Sequence, residues 1–239
     1  MEKIQEKLRK LRSAVVGERL DAIEGIHDVI QGDRKNIKNY LSPDVFNQLQ
    51  MCLKDSFLEI RMMAAAILGW SQDTRALPPL LECLKDPNDE LRVSVATALG
   101  DLGDMNTLEA LLNCLKDEAD SVRLIAVRSL GRLASSRAAG ALIESLKDVT
   151  KEVRAESAKV LGKLNELKAV DPLIGCLNDR DSNVRLNAIT ALGQLGDPKA
   201  VEPLISALKD REKKVQAEAV RALKKFKDPR AQQAVLSFH

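Results

Sequence analysis

Aromatic residues and histidine are both scarce in this sequence. Only six of its 239 residues are aromatic: four Phe, one Trp and one Tyr. Side chains that stack on nucleic-acid bases or flat cofactors are therefore few. Histidine occurs twice, at His27 and His239, which leaves little material for histidine-based catalysis or zinc ligation.

Long apolar runs are lacking as well. The longest covers nine residues, from Met62 to Trp70, whereas a helix that spans a bilayer needs roughly 20. The first seven residues, MEKIQEK, are mostly polar where a signal peptide would need an apolar segment. We therefore predict a cytoplasmic protein with no transmembrane helix, no leader and no membrane partner.

The sequence also has no excess of charge of one sign. Its 37 Lys and Arg residues nearly balance 35 Asp and Glu residues, for a formal net charge of +2. This balance argues against a surface built as a whole for nucleic acid or for an anionic membrane. With 45% hydrophobic residues, the chain has the apolar content of a folded protein.

The main feature of the sequence is an internal repeat of 31 residues. Six units align without a gap, at residues 46–76, 77–107, 108–138, 139–169, 170–200 and 201–231. A fixed period of this length is typical of solenoid proteins, in which each unit buries its apolar face against the next.

Each unit contains two amphipathic patterns that predict helices of ten to fourteen residues. Positions four and eight are always Leu, as in Leu173 and Leu177, and this spacing predicts helix A. A stripe at positions 15, 19 and 23, as in Val184, Ala188 and Leu192, predicts helix B. Because no alternating strand pattern occurs, we predict an all-α fold: a right-handed α-solenoid, or superhelix, of stacked antiparallel helix pairs.

The residues outside the repeats are expected to form caps. Residues 1–45 carry two amphipathic patterns and a further helix near Asn36 to Leu41, which together predict divergent N-terminal capping helices. Residues 232–239 are expected to form a partial capping helix at the other end.

The motifs of the repeat resemble a known family. The fifth unit reads LIxxLxD from Leu173 and VRxxAxxALGxLGDPxA from Val184. These motifs resemble HEAT repeats and, more narrowly, the HEAT-like repeats of phycobilisome lyases. The resemblance implies the solenoid fold and, as one functional alternative, attachment or detachment of a bilin. HEAT-like deoxyhypusine hydroxylases use His-Glu pairs as iron ligands, and this sequence contains no such pair, so we predict neither a metal nor a cofactor.

Asp at position ten and Arg at position 16 recur together along the chain. Because the loop folds helix B back on helix A, each Asp should meet its Arg near the turn, and stacking should join the pairs into an inter-repeat ladder. A carboxylate that recurs in every unit is better explained by structure than by catalysis, so no catalytic residue is predicted. The expected ladder consists of Asp55, Asp86, Asp117, Asp148 and Asp179 with Arg61, Arg92, Arg123, Arg154 and Arg185.

Cysteine and glycine also follow the repeat. All four cysteines, Cys52, Cys83, Cys114 and Cys176, lie at position seven. Equivalent positions in stacked helices lie about 10 Å apart, too far for a disulfide, so we predict packing residues in a reducing compartment. Glycine at position 24 of five units lies inside helix B, where it is expected to permit close helix approach.

Positions 14, 18, 21 and 25 form the face of helix B opposite the core stripe, and they predict the partner-binding surface. Its Met, Trp and Ile residues suit a peptide or a partner helix; the alternative is that the N-terminal cap covers them. Its cations suit an acidic partner; the alternative is a solvated, salt-bridged face. The predicted residues are Met62, Met63, Trp70, Ile125, Arg128, Arg132, Lys159, Lys163, Arg221 and Lys225.

The function predicted from these features is a non-enzymatic scaffold that binds another protein through its concave face. The expected partner segment is acidic or amphipathic, and the chain is expected to act as a monomer or as a subunit of a hetero-complex. Two alternatives stay open: a bilin lyase or bilin-detaching protein, and nucleic-acid binding along the basic stripe from Arg128 to Lys225.

Overall fold

A computed structural model describes residues 2–238 of the chain. Helices fill most of this range and no β-strand occurs within it, so the predicted all-α class is confirmed. No helix in the same range combines the length and the apolar character that crossing a bilayer requires. Met1 and His239, the outermost residues of the two predicted caps, lie outside the described residues.

The chain divides into two compact units, Met1–Leu133 and Ala134–His239. The first unit contains α1 (Glu2–Lys10), α2 (Val16–Gly32), α3 (Pro43–Cys52), α4 (Leu58–Trp70), α5 (Leu77–Cys83), α6 (Asp89–Leu102), α7 (Leu108–Cys114) and α8 (Asp120–Leu133). The second contains α9 (Ala139–Ser145), α10 (Lys151–Leu164), α11 (Val170–Cys176), α12 (Ser182–Leu195), α13 (Val201–Ala207), α14 (Lys213–Leu223) and α15 (Pro229–Leu236).

Within each unit, consecutive B helices pack directly against one another. In the first unit α2, α4, α6 and α8 stack in chain order, and each A helix packs on the B helix that follows it. In the second unit α10, α12 and α14 stack in the same way, and α15 packs against α13 and α14. The stripe represented by Val184, Ala188 and Leu192 is fully buried. The predicted α-solenoid of stacked helix pairs is therefore confirmed.

The A helices are shorter than the pattern predicts. From α5 to α13 each has seven residues and begins at the first residue of its repeat. A three-residue 3-10 helix occupies the turn before each of them. At three of these turns the side chain of Asp73, Asp104 or Asp197 accepts a hydrogen bond from the amide two residues later. These aspartates favour a tight turn over a longer helix.

After each of five B helices, a single residue adopts the left-handed backbone conformation, and the chain reverses direction there. It is the same repeat position each time: Gln72, Gly103, Ala134, Asn165 and Gly196, with φ between 49° and 68°. Glycine adopts this conformation without strain, which explains its presence at two of the five positions.

The caps depart from the predicted boundaries. The helix expected near Asn36 to Leu41 is instead a 3-10 helix over Arg34–Asn39. The C-terminal helix begins at Pro229 rather than at residue 232, because Asp228 accepts a hydrogen bond from the Arg230 amide and Pro229 occupies the first helical turn.

Glycine inside helix B lets adjacent B helices approach closely. A Cβ atom built on Gly162 of α10 would lie 2.7 Å from the Ala191 Cα of α12 and 2.8 Å from its Cβ. Such distances are too short for carbon atoms in contact, and one of the colliding atoms belongs to the backbone. Gly69 and Gly100 make equally close approaches to the next B helix of the first unit.

We expect Gly162→Ala to destabilise the protein by about 1–3 kcal/mol, because α10 and α12 must separate to admit a methyl group. Gly175→Ala in α11 is the matched control, since a Cβ there meets no atom within 4 Å. It should be neutral, or stabilising by up to about 1 kcal/mol through helix propensity. Urea unfolding of both variants measures the difference, and equal effects would contradict the close approach.

Candidate functional site

The recurring arginine forms a bridge between successive repeats. In the first unit, Nε and Nη2 of Arg92 donate to the two carboxylate oxygens of Asp117, at 2.9 and 2.8 Å. Its Nη1 donates to the carbonyl oxygens of Asp86 and Pro87 in its own loop, at 2.9 and 3.1 Å. The Arg therefore binds the carboxylate of the next repeat and not, as predicted, the carboxylate of its own repeat.

The second unit repeats this geometry twice. Nε of Arg154 lies 2.7 Å from Asp179, and Nε of Arg185 lies 2.7 Å from Asp210. Each aspartate also accepts a hydrogen bond from the amide two residues later, at 2.8 Å for Asp179 and 2.9 Å for Asp210. Arg123 of the first unit makes the same contacts with its own loop, donating to two carbonyl oxygens. These groups hold the loops together and leave little of the carboxylates exposed for chemistry.

The bridge extends into the predicted N-terminal cap, which the sequence analysis missed. Arg19 donates from Nε to Asp55 at 2.7 Å and from Nη1 to the carbonyl oxygen of Ser13 at 3.0 Å. Helices α1 and α2 thus join the ladder as a further repeat. The signal was hidden because Ser13 stands where other units have Asp, and because Arg19 and Asp55 are 36 residues apart against 25 for the other pairs.

One bridge is looser than the others. Nε of Arg61 lies 3.8 Å from Asp86, and although this nitrogen is buried it has no hydrogen-bond partner. Arg61 keeps the contact with its own loop, since Nη1 donates to the Asp55 carbonyl oxygen at 3.0 Å. The Asp86 pairing is therefore the weakest of the five that lie within a single unit.

The bridges shift the acidity of their carboxylates. Burial acts to raise the pKa of Asp117, but hydrogen bonds from Arg92 and from the Ala119 amide outweigh it, so this pKa lies below its ordinary value. The pKa of Asp210 is lowered chiefly by its hydrogen bond from Arg185. Both aspartates are therefore ionised at neutral pH, as a structural ion pair requires.

We expect Asp117→Asn to cost about 1–3 kcal/mol of stability at pH 7, because it removes the carboxylate that accepts two hydrogen bonds from the nearly buried Arg92 and leaves only the exposed Glu118, 3.6 Å away, as a charged partner. Asp86→Asn is the matched control and should cost less than about 1 kcal/mol. In both variants the amide oxygen can still accept the loop hydrogen bond that Asp117 and Asp86 accept from Ala119 and Asn88.

The stability that Asp117 contributes depends on pH, because its pKa is lowered in the folded protein. Its stabilisation is complete above the ordinary pKa of about 3.9 and is lost as the pH falls through the lower folded-state pKa. The difference in the free energy of unfolding between wild type and Asp117→Asn should therefore disappear in strong acid. Chemical unfolding from pH 3 to pH 7 measures it, and a gap that is constant over this range would contradict the ion-pair assignment.

The cysteines lie in or beside the packed interior. Cys52, Cys114 and Cys176 are buried and Cys83 is half-buried, all as free thiols. Burial raises the pKa of Cys52 to about 12 and those of Cys114 and Cys176 to about 11. Thiols with such pKa values are weak nucleophiles at neutral pH. No group of three His, Cys, Asp or Glu side chains in residues 2–238 is arranged to hold a metal ion.

The apolar part of the predicted partner surface is partly covered. Met62, Met63, Trp70 and Ile125 are all half-buried. The guanidinium of Arg34, from the 3-10 helix after α2, lies 3.6 Å from the centroid of the Trp70 ring. The N-terminal residues thus contact Trp70, which was the alternative considered for this surface.

The basic part of the predicted surface is neutralised to different degrees. Arg132 lies 3.5 Å from Asp101, Lys159 lies 2.9 Å from Glu156, and Arg221 lies 3.4 Å from Glu218. Arg128 is exposed but takes part in an interaction with another residue. Lys163 and Lys225 are exposed and form no ion pair within the described residues. Arg128 and Arg132 belong to the first unit, and the remaining four cations to the second.

Comparison with known proteins identifies the family. A family model described as HEAT repeats matches the chain at residues 35–100, 78–162, 108–182, 140–215 and 170–238. The protein therefore belongs to the HEAT-repeat family. The sequence matches no curated protein significantly.

Solved structures share the fold at low sequence identity. The phycocyanin lyase complex of CpcE and CpcF from a Nostoc species aligns with a TM-score of 0.57 and 19% identity, over 99% of this chain and 94% of that one. YibA of Escherichia coli aligns with a TM-score of 0.65 and 21% identity, over 93% and 81%. An engineered protein aligns with a TM-score of 0.65 and 20% identity, over 99% and 71%. At these identities the likeness concerns the fold alone.

Proposed function

We propose that this protein is a non-enzymatic scaffold that binds an acidic segment of another protein through the exposed face of its B helices. The proposal is supported by the solenoid fold and by the absence of a metal cluster or a reactive thiol among the described residues. The observation that carries it is the distribution of charge on α10, α12 and α14 and in the turn after α14.

Three consecutive repeats present equivalent side chains at position 25: Lys163 in α10, Gln194 in α12, and Lys225 in the turn after α14. All three are exposed. Because α12 packs against both α10 and α14, the two lysines belong to layers on either side of it, about 20 Å apart at ordinary helix packing distances. An extended peptide spans that distance with about six residues.

These two lysines differ from the neighbouring cations, which form ion pairs. One turn earlier, Lys159 and Arg221 bind Glu156 and Glu218 of their own helices. Each such pair contributes little to attraction at a distance, because its charges cancel locally. Within residues 2–238, Lys163 and Lys225 have no such partner, so they supply the positive potential that this face offers to a carboxylate.

We expect the double reversal Lys163→Glu and Lys225→Glu to weaken binding of an acidic partner at least about tenfold at low salt, through slower association and like-charge repulsion. The probe is a labelled synthetic peptide of alternating Glu and Leu residues, titrated against the full chain by fluorescence anisotropy. The same variant then serves as bait beside wild type in an affinity pull-down.

The matched control is the double reversal Lys168→Glu and Lys209→Glu. It makes the same change in net charge at exposed residues of the same unit that flank the A helices. Equal loss of binding in the two variants would overturn the proposal, since net charge alone would then explain it. Tighter binding to duplex DNA than to the peptide, with a steep salt dependence, would favour the nucleic-acid alternative.

A bilin-attaching function is a second candidate, supported by the resemblance of the repeat motifs to those of phycobilisome lyases and by the likeness in fold to the CpcE and CpcF lyase complex. If the scaffold proposal holds, the purified chain incubated with a bilin and a phycobiliprotein subunit should not increase covalent attachment of the pigment. Denaturing gels read by bilin fluorescence measure this, and a catalytic gain in attached pigment would displace the scaffold proposal.

A further inference from the structure

An ordered cationic turn interrupts the repeat pattern in the first unit. The 3-10 helix Arg34–Asn39 lies between α2 and α3, where other repeats have only three 3-10 residues. Asp33, just before this turn, accepts hydrogen bonds from the Asn36 side chain within the turn at 2.9 Å and from the hydroxyl of Tyr40, just after the turn, at 2.8 Å. Ile37 anchors its middle in the core, at 5% exposure. The turn is therefore positioned before any ligand arrives.

The first residue of this turn is stacked on the indole of Trp70. The Arg34 guanidinium lies 3.6 Å from the ring centroid, and the His27 ring lies 5.0 Å from the same centroid. Stacking on an aromatic face fixes the plane of a guanidinium and leaves the N–H groups at its edge available. Arg34 is accordingly preorganised to donate two parallel hydrogen bonds to one anionic group.

The turn and the indole line an open cleft of about 640 Å³ together with Gln72 and Asp101. Its lining contains three cations, Arg34, Lys35 and Lys38, and none of them forms an ion pair within the described residues. Asp101 is the single carboxylate in the lining, and Arg132 lies 3.5 Å from it. The cleft therefore carries a local excess of positive charge in a chain that is nearly neutral overall.

We propose that this cleft binds the dianionic phosphate of a phosphorylated side chain on a partner protein. A phosphorylated Ser or Thr carries a charge of about −1.5 to −2 at pH 7 and three acceptor oxygens, which matches one planar guanidinium flanked by two lysines better than a single carboxylate does. Arginine clusters of this kind are a general mode of phosphopeptide recognition.

The surroundings favour a compact dianion over a polyanion. The cations of the lining are confined to one turn, whereas the corresponding face of α4 and α6 carries the exposed Glu59 and Glu90 and the half-buried Asp101 and no Lys or Arg. A nucleic-acid backbone laid across these helices would meet carboxylates on leaving the turn. The site lies within the first unit and does not depend on the proposal made for Lys163 and Lys225.

Trp70 allows a direct test because it is the only tryptophan in the chain. A ten-residue peptide with one phosphoserine among neutral residues is titrated against the full-length protein at low salt while the Trp70 emission is followed. We expect a saturable change in emission, and little or none with the same peptide carrying Ser. Inorganic phosphate and a peptide carrying Glu at that position should bind at least about tenfold more weakly than the phosphopeptide.

Variants assign the binding to the turn. Arg34→Gln should weaken phosphopeptide binding about tenfold or more, measured by calorimetry because the substitution also alters Trp70 emission. Lys35→Gln with Lys38→Gln preserves the stack on Trp70 and should weaken binding to a similar extent. Lys116→Gln, an exposed lysine of the same unit outside the cleft, should bind as wild type does.

Three outcomes would overturn the proposal. Equal affinity for the Glu peptide would make the cleft a general carboxylate site, and equal affinity for inorganic phosphate would remove the peptide from the recognition. Full binding by both the Arg34→Gln variant and the double lysine variant, with circular dichroism unchanged, would place the phosphate elsewhere on the protein.

Discussion

The bridge between an arginine and the aspartate of the next repeat is the interaction on which the rest of this fold depends. One guanidinium satisfies two carbonyl oxygens of its own loop through Nη1 and binds the neighbouring carboxylate through Nε and Nη2. A lysine carries its donors on one nitrogen and cannot divide them in this way. Because the carboxylate also accepts a hydrogen bond from a backbone amide of its own loop, the conformations of successive loops within each compact unit are coupled.

A second constraint acts at the opposite end of helix B. There a glycine brings the backbone of one helix against the next, as Gly162 does with Ala191. The arginine bridge fixes the first turn of helix B and the glycine contact fixes its last turn, so the stacking of successive B helices is defined at both ends. Positions between them that face solvent are free to change without disturbing either contact.

The fold could be predicted from the periodicity of the sequence, because the fold depends on side chains that recur at the same position of each repeat. The periodicity did not predict contacts where the spacing between repeats changes. Arg19 belongs to the same ladder, but the longer connection to Asp55 and the presence of Ser13 concealed it. The prediction also assigned the partners of Arg61, Arg92, Arg154 and Arg185 to the wrong repeat, since spacing along the chain does not reveal which of two nearby carboxylates a long side chain reaches. The stack of Arg34 on Trp70 joins residues with no shared period, and no sequence signal marks it.

The number of cations in a sequence overestimates how strongly a surface attracts an acidic partner, as the candidate sites show. Six cations were predicted to face a partner, yet Arg132, Lys159 and Arg221 have carboxylates within 4 Å. Such pairs arise readily on helices, because residues three or four apart share a face. Among the described residues of the two candidate sites, the cations without an ion pair are Arg34, Lys35 and Lys38, where the repeat is interrupted, and Lys163 and Lys225, at one position of the repeat. Because helix neighbours already neutralise part of the charge on such a face, fewer cations remain for a partner than the sequence suggests.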